Sequence, residues 1–135
     1  MTRQIRRKAR ERNTYINYLK KGNEYLAAAE ESMKQKIYDA AALSCIHSVI
    51  SLMDSIIIYY AGQVSASERH EDSIILLREL VKKDGINECT RHASEVLRQK
   101  NIVEYTDAIM SEKQAEMIYK HAKRFHDAAV KLLPQ

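Results

Sequence analysis

The chain has 135 residues, a net charge of +4, 45% hydrophobic residues and 30% charged residues, a composition typical of one globular domain with its own core. Three glycines and one proline provide few of the turns that a fold of many short strands needs. The two cysteines, Cys45 and Cys89, form no Cys-x-x-Cys pair, which excludes a disulfide framework and argues against a zinc site.

Positive charge is concentrated at the beginning of the chain. Residues 1–12 have a net charge of +5, so the remaining residues sum to −1. The basic residues are Arg3, Arg6, Arg7, Lys8, Arg10 and Arg12. We predict a basic arm or helix extension over 1–12, followed by one domain over 13–135. Lys and Arg bind phosphates, so these residues are candidate nucleic-acid contacts, and a solvated helix end is the alternative. No apolar run follows the arm, so we expect no signal peptide and a cytoplasmic location.

The first helix is predicted to begin near Arg3 or Asn13 and to end at about Lys36. Apolar residues recur there every three or four positions, as expected for a helix with one buried face. They are Tyr15, Tyr18, Leu19, Gly22, Tyr25, Leu26, Ala29 and Met33.

The second predicted helix, Tyr38 to Tyr60, is the most apolar segment. Asp39 is expected to cap its start and Gly62 to end it,. A helix that is apolar nearly all round belongs in the middle of a bundle. We prefer this to a membrane span, because His47 and Asp54 lie in mid-segment and a charge at the bilayer centre costs about 3 kcal/mol or more.

The polar residues of this helix form two stripes. Ser44, Ser48, Ser51 and Ser55 are spaced by 4, 3 and 4, which would let another helix approach closely. His47, Ser51 and Asp54 share a neighbouring face,. His47 and Asp54 are therefore either hydrogen-bonded residues of a helix contact or part of a functional cleft or dimer surface.

The second half of the chain contains three further predicted helices. One follows a capping box at Ser65 and Glu68 and runs to about Lys83,. The next spans about Asn87 to Lys100, and Asn101 to Met110 is expected to be irregular. The last helix opens with a capping box at Ser111 and Gln114. Its packing seam consists of Ala115, Ile118, Ala122, Phe125, Ala129 and Leu132. The predicted fold is an all-α, up-and-down bundle of four to five helices.

The stretch before the last helix resembles the HEPN superfamily of small helical bundles. Lys100-Asn101-Ile102-Val103-Glu104-Tyr105 is similar to the Arg-x-x-Ala-Asp-Tyr type motif of one branch. Other segments also match the layout of this family. They are the segments around 111–116 and 122–125, the Tyr38-Asp39-Ala40-Ala41 opening of the second helix, and Gly62 followed by His70. The likeness covers about residues 15–133 and implies a HEPN-like bundle.

Members of the HEPN superfamily either cleave RNA or act without catalysis, so the resemblance implies two possible roles. Catalytic HEPN members cleave RNA without a metal through an Arg-x(4–6)-His motif, which is absent here because no histidine has an arginine at the required spacing. Tyrosine, with a pKa near ~10, is a poor general base at neutral pH, and lysine lacks the bidentate fork of arginine. We therefore expect a non-catalytic or weakly active module that acts through protein contacts. The resemblance implies a homodimer and a nucleotidyltransferase-fold partner in a toxin–antitoxin pair.

The alternatives are a metal-independent ribonuclease with a substituted site, or an RNA- or nucleotide-binding protein. In the first, Lys100 would hold the phosphate, Asn101 and Glu104 would orient groups, and Tyr105 or His47 would move protons. Asp54 is the remaining candidate catalytic residue. His121 and His126 are five residues apart and therefore make a poor chelating pair. We find no sequence motif for a cofactor, and we expect none and no metal.

Overall fold

The computed structural model describes residues 4–134. Its helices are α1 (Tyr15–Lys34), α2 (Tyr38–Ala61), α3 (Glu71–Leu80), α4 (Ile86–Leu97), α5 (Lys100–Tyr105) and α6 (Glu112–Leu132). Two short strands, β1 (Arg7–Ala9) and β2 (Gln63–Ser65), form an antiparallel ribbon, and a 3-10 turn covers Arg12–Thr14. The all-α prediction is confirmed, because five helices of ten residues or more account for most of the described chain.

Helix α2 is the centre of the bundle and contacts each of the other helices. By length and composition alone it is apolar enough to cross a membrane, with a mean hydropathy of 1.8. However, 67% of that apolar window is buried inside the fold, as expected for the core helix of a bundle. Its buried residues include Ile46, Leu52, Ile56 and Ile57.

The serine stripe of α2 allows the close approach of α1. Ser48 Oγ donates a hydrogen bond to the Gly22 carbonyl oxygen at 2.7 Å, and Ser55 Oγ donates to the Tyr15 carbonyl oxygen at 2.8 Å. Both hydroxyls are buried, and pairing them removes the penalty of an unsatisfied polar group. Two of the four serines, Ser48 and Ser55, are therefore used inside the molecule.

Within the described residues of the arm, Arg7–Ala9 form strand β1 and Arg12–Thr14 form a 3-10 turn, so no helix extension is found there. Lys8 lies opposite Val64 in the ribbon, and backbone hydrogen bonds join Arg10 to Gly62 and Ala66 to Arg6. The helical pattern could not reveal this, because the pairing joins segments more than fifty residues apart. Arg3 lies outside the described residues.

Three predicted boundaries also need correction. Asp39 lies in the first turn of α2, and its carboxylate accepts the Met110 N–H at 3.1 Å. Ser65 and Glu68 form no capping box, because Ser65 belongs to β2 and α3 begins only at Glu71. The stretch after α4 is not wholly irregular, since its first residues form the short helix α5.

The C-terminal helix follows its prediction. Ser111 Oγ accepts the Gln114 N–H at 3.1 Å and the Gln114 side chain accepts the Ser111 N–H at 2.9 Å, which is a complete capping box,. The predicted seam is buried from Ala115 to Ala129, and Phe125 lies at its centre. Through this seam α6 packs on α2, α4 and α1.

Candidate functional site

Helix α5 carries an ion pair near the bundle surface. Lys100 Nζ lies 2.9 Å from Glu104 Oε2, one helical turn away, and the two side chains are only 16% and 17% exposed. Their hydrogen bond raises the pKa of Lys100 and lowers the pKa of Glu104. Lys100 Nζ also lies 5.0 Å from the centre of the Tyr105 ring. The lysine is thus already engaged by groups of its own helix.

His47 reaches this ion pair from α2. Its Nε2 lies 3.8 Å from Glu104 Oε1, and its ring centre lies 5.4 Å from that of Tyr25 on α1. The sequence analysis named His47 as a candidate proton-transfer residue but did not show which element it would meet. Tertiary packing brings it to the carboxylate of Glu104 on α5.

His70 is a member of the cluster that the sequence analysis did not select. It lies immediately before α3 and lines a cavity of about 360 Å³ with Lys100 and Asn101. Burial lowers the pKa of His70, and the Lys100 cation lowers it further, while Glu71 and Glu104 oppose the shift. The sequence signals were a histidine near a helix start and its place after Gly62 in the HEPN-like layout, and neither reveals its distant neighbours.

The predicted catalytic residues therefore divide into two groups. One group lies around α5 and consists of Lys100, Asn101, Glu104, Tyr105 and His47. Asp54 does not belong to this group. Asp54 follows His47 by two helical turns, about 10 Å along the axis. Burial raises the pKa of Asp54 to about 7, although the nearby Arg10 and Lys8 cations lower it.

Three of the eight exposed large hydrophobic side chains described lie on α5 or in the loop after it. Ile102, Tyr105 and Ile109 are 40%, 71% and 81% exposed. Single exposed apolar residues are common on protein surfaces, whereas three in one short segment make that segment a candidate interaction site. We call Ile102, Tyr105 and Ile109 the α5 face.

Four basic residues of the arm interact with the body of the domain. Arg12 donates a hydrogen bond to the Tyr59 carbonyl oxygen and its guanidinium carbon lies 4.7 Å from the centre of the Tyr59 ring. Arg7 lies 3.6 Å from Glu79, and Arg10 and Lys8 act on Asp54. Nucleic-acid binding by the arm stays a prediction, since structural contacts account for much of its charge.

The described residues hold no group of three or more His, Cys, Asp or Glu side chains that could bind a metal ion. Cys45 and Cys89 are free buried thiols, and burial raises the pKa of each to about 12. Thiols of this kind are inert, because the reactive species is the thiolate. The chemistry available around α5 is therefore that of imidazole, carboxylate, ammonium and phenol groups.

Comparison with known proteins identifies the fold family. The search of curated proteins found no match to this chain. The family model described as the HEPN domain matches residues 15–133, which include α1 to α6 and exclude the arm and β1. The helix order, the central position of α2 and the family match over most of the chain lead to one conclusion: the protein belongs to the HEPN domain family.

Proposed function

We propose that this HEPN domain acts through protein contacts made by the α5 face and does not depend on RNA cleavage. The observation that carries the proposal is the ion pair of Lys100 and Glu104, whose nitrogen and oxygen lie 2.9 Å apart. A phosphate group would have to compete with this carboxylate for the same ammonium. Lysine is a point charge without the fork that helps arginine hold a phosphate, so the paired Lys100 is a weak anchor for RNA.

The exposed apolar residues support a protein partner. Burial of apolar surface contributes about 25 cal/mol per Å², and an aromatic residue among aliphatic ones is a common centre of binding energy. Tyr105 and Ile109 are the two most exposed large hydrophobic side chains described. We propose a homodimer through this face, and a nucleotidyltransferase-fold partner in a toxin–antitoxin pair, in the cytoplasm.

The proposal is tested by placing a charge on the α5 face. Ile109→Asp should convert a dimer to a monomer in light scattering at micromolar concentration, without changing the helical circular-dichroism spectrum. Ile16→Asp is the matched control, because Ile16 is also exposed, at 55%, but lies on α1. A natural protein that is monomeric throughout this range would contradict the dimer. The partner is tested separately: Ile109→Asp should also abolish co-purification with a nucleotidyltransferase-fold protein.

A ribonuclease with a substituted site is the second candidate. It is favoured by two imidazoles, His47 and His70, near the same Lys100–Glu104 pair, since histidine is the side chain that most often transfers protons in catalysis. We would incubate RNA with the natural protein, with the Lys100→Ala, Tyr105→Phe double variant and with His70→Ala. We expect no cleavage by any of them. Cleavage by the natural protein that these substitutions remove would establish this second function.

A further inference from the structure

Two histidines outside the α5 cluster face each other across the seam of α4 and α6. His92 Nδ1 lies 3.0 Å from His121 Nδ1, and the ring centres are 5.3 Å apart with a tilt of 35°. His92 is buried and His121 is partly exposed. This separation is that of a good N–H···N hydrogen bond.

The hydrogen bond restricts how many protons the two rings can hold. A neutral imidazole has one N–H and one bare nitrogen, so one ring donates through Nδ1 and the other accepts. A first added proton can bind Nε2 of the donor ring and leave the bond intact. A second must bind the accepting Nδ1, which breaks the bond and leaves two cations face to face.

The surroundings of the pair disfavour this second proton. Burial lowers the pKa of both His92 and His121. The charged groups that act on them are Glu88, Arg91 and Glu95 from α4, and Lys120 and Arg124 from α6. The cations Arg91, Lys120 and Arg124 act in the same direction as burial, whereas Glu88 and Glu95 oppose the shift. A cavity of about 470 Å³ lies beside His92, and its charged lining residues are Asp84, Glu88, Arg124, Asp127 and Lys131.

We propose that the His92–His121 hydrogen bond is an acid-sensitive clasp that holds α4 on α6 and opens when both rings become cationic. Only two residues separate α4 from α5, so opening the seam would loosen the segment that carries Lys100, Glu104 and Tyr105. The clasp itself does not depend on the proposed function. Its effect on the α5 face would make protein contacts at that face sensitive to pH.

The direction of the pH effect follows from proton linkage. A histidine whose pKa is lower in the folded protein than its value of about 6.5 in the unfolded chain binds protons more strongly after opening. Stability from the clasp is therefore present above about pH 6.5 and is lost as the pH falls below it. Each extra proton bound on opening should raise the opening constant by about tenfold per pH unit.

The first measurement uses the natural chain. Imidazole signals of His92 and His121 should titrate in two coupled steps below pH 6.5 in NMR spectra. In the same pH range, amide hydrogen exchange should accelerate along α4 and α5 before it does in α2. Two rings that titrate independently, or uniform acceleration across all helices, would overturn the proposal.

The second measurement replaces one ring. His121→Asn keeps a side chain that can donate or accept a hydrogen bond and removes one titrating group. We expect the variant to lose the acid-induced acceleration in α4 and α5. His126→Asn is the control, because His126 bonds to Asn23 and Asp127, and it should behave as the natural chain does. Acceleration that persists unchanged in His121→Asn would exclude the clasp.

Discussion

Gly22 lies at a close contact between α1 and α2. A Cβ atom at this position would be 2.6 Å from Leu52 Cγ, 2.7 Å from Leu52 Cδ2 and 3.4 Å from the Ser48 carbonyl oxygen. Leu52 is fully buried, so its side chain has little room to move. The absence of a side chain at Gly22 and the hydroxyl of Ser48 together permit this contact between α1 and α2.

We expect Gly22→Ala to lower the free energy of unfolding by about 1–3 kcal/mol, because overpacking forces neighbouring groups from their places. The higher helix propensity of alanine offsets at most about 1 kcal/mol of this loss. Urea unfolding followed by circular dichroism measures the change. Asn17→Ala, at an exposed position of the same helix, should remain within about 0.5 kcal/mol of the natural protein. Equal stability of the two variants would contradict the close contact.

Asp54 shows how burial can alter a single carboxyl group. Its pKa of about 7 lies above the unfolded value of about 3.9, so folding favours its protonated form. The stability that it contributes is present below about pH 4 and is lost as the pH rises through about 7. This dependence is opposite in sign to that expected for His92 and His121.

Asp54→Asn should therefore stabilise the protein above pH 7 and have little effect near pH 4. The limit of the gain is on the order of 4 kcal/mol, since each unit of pKa corresponds to about 1.4 kcal/mol. Urea unfolding of both proteins at pH 4.5 and pH 8 gives the difference. Ser51→Ala, one turn earlier on α2, serves as a control without a titrating group. The difference in stability between Asp54→Asn and the natural protein should change with pH. A constant difference would show that folding does not alter the pKa of Asp54.

The arm combines a structural and an electrostatic role in one element. Its strand β1 pairs with β2, and Ile5 is buried in the core. Deleting the arm would therefore remove part of the fold together with the charge. A test of nucleic-acid binding needs substitutions that keep the strand.

We expect deletion of residues 2–12 to lower the melting temperature, whereas the double variant Arg6→Gln, Lys8→Gln should unfold near the natural temperature. The deletion loses the burial of Ile5, worth about 1.5–3 kcal/mol, and the contacts of Arg12 with Tyr59. If the arm binds RNA, the double variant should also show a smaller slope of log affinity against log salt, by about 1 for each lost phosphate contact. An unchanged slope would remove Arg6 and Lys8 from any RNA interface, and an unchanged melting temperature of the deletion would contradict the structural role.

The whole molecule is organised around α2, with α6 connecting the two sides of the bundle. Phe125 is fully buried in the seam that α6 forms with its neighbours. In so small a domain, one shared core should make unfolding a single cooperative transition. The eight tyrosines and the absence of tryptophan make tyrosine fluorescence the natural probe of tertiary structure.

We expect Phe125→Ala to lower the free energy of unfolding by about 3–5 kcal/mol, the range for deleting a buried aromatic ring. Far-ultraviolet circular dichroism and tyrosine fluorescence should still report one transition. Met117→Ala, at an exposed position of α6, should cost less than about 1 kcal/mol. Two separate transitions in the Phe125 variant would show that α6 folds independently of the rest.

The sequence by itself determined the long helices, because their signals are local. The apolar run of α2, the left-handed Gly62 at its end and the capping box at Ser111 all act within a few residues. These signals, together with the order of weak motifs from 15 to 133, were sufficient for the fold class and the HEPN family. Much of the α5 cluster was also predictable, because Lys100, Glu104 and Tyr105 are neighbours along one short segment.

Only the tertiary structure decided which distant residues meet. Three contacts join residues more than twenty-five positions apart. They are the pairing of β1 with β2, the approach of His70 to Lys100 and the contact of His92 with His121. Helical periodicity assigns a residue to a face but does not say which element covers that face. For this reason His47 and Asp54, which share a stripe of α2, belong to different parts of the molecule: His47 lies beside α5, and Asp54 lies near the charges of the arm.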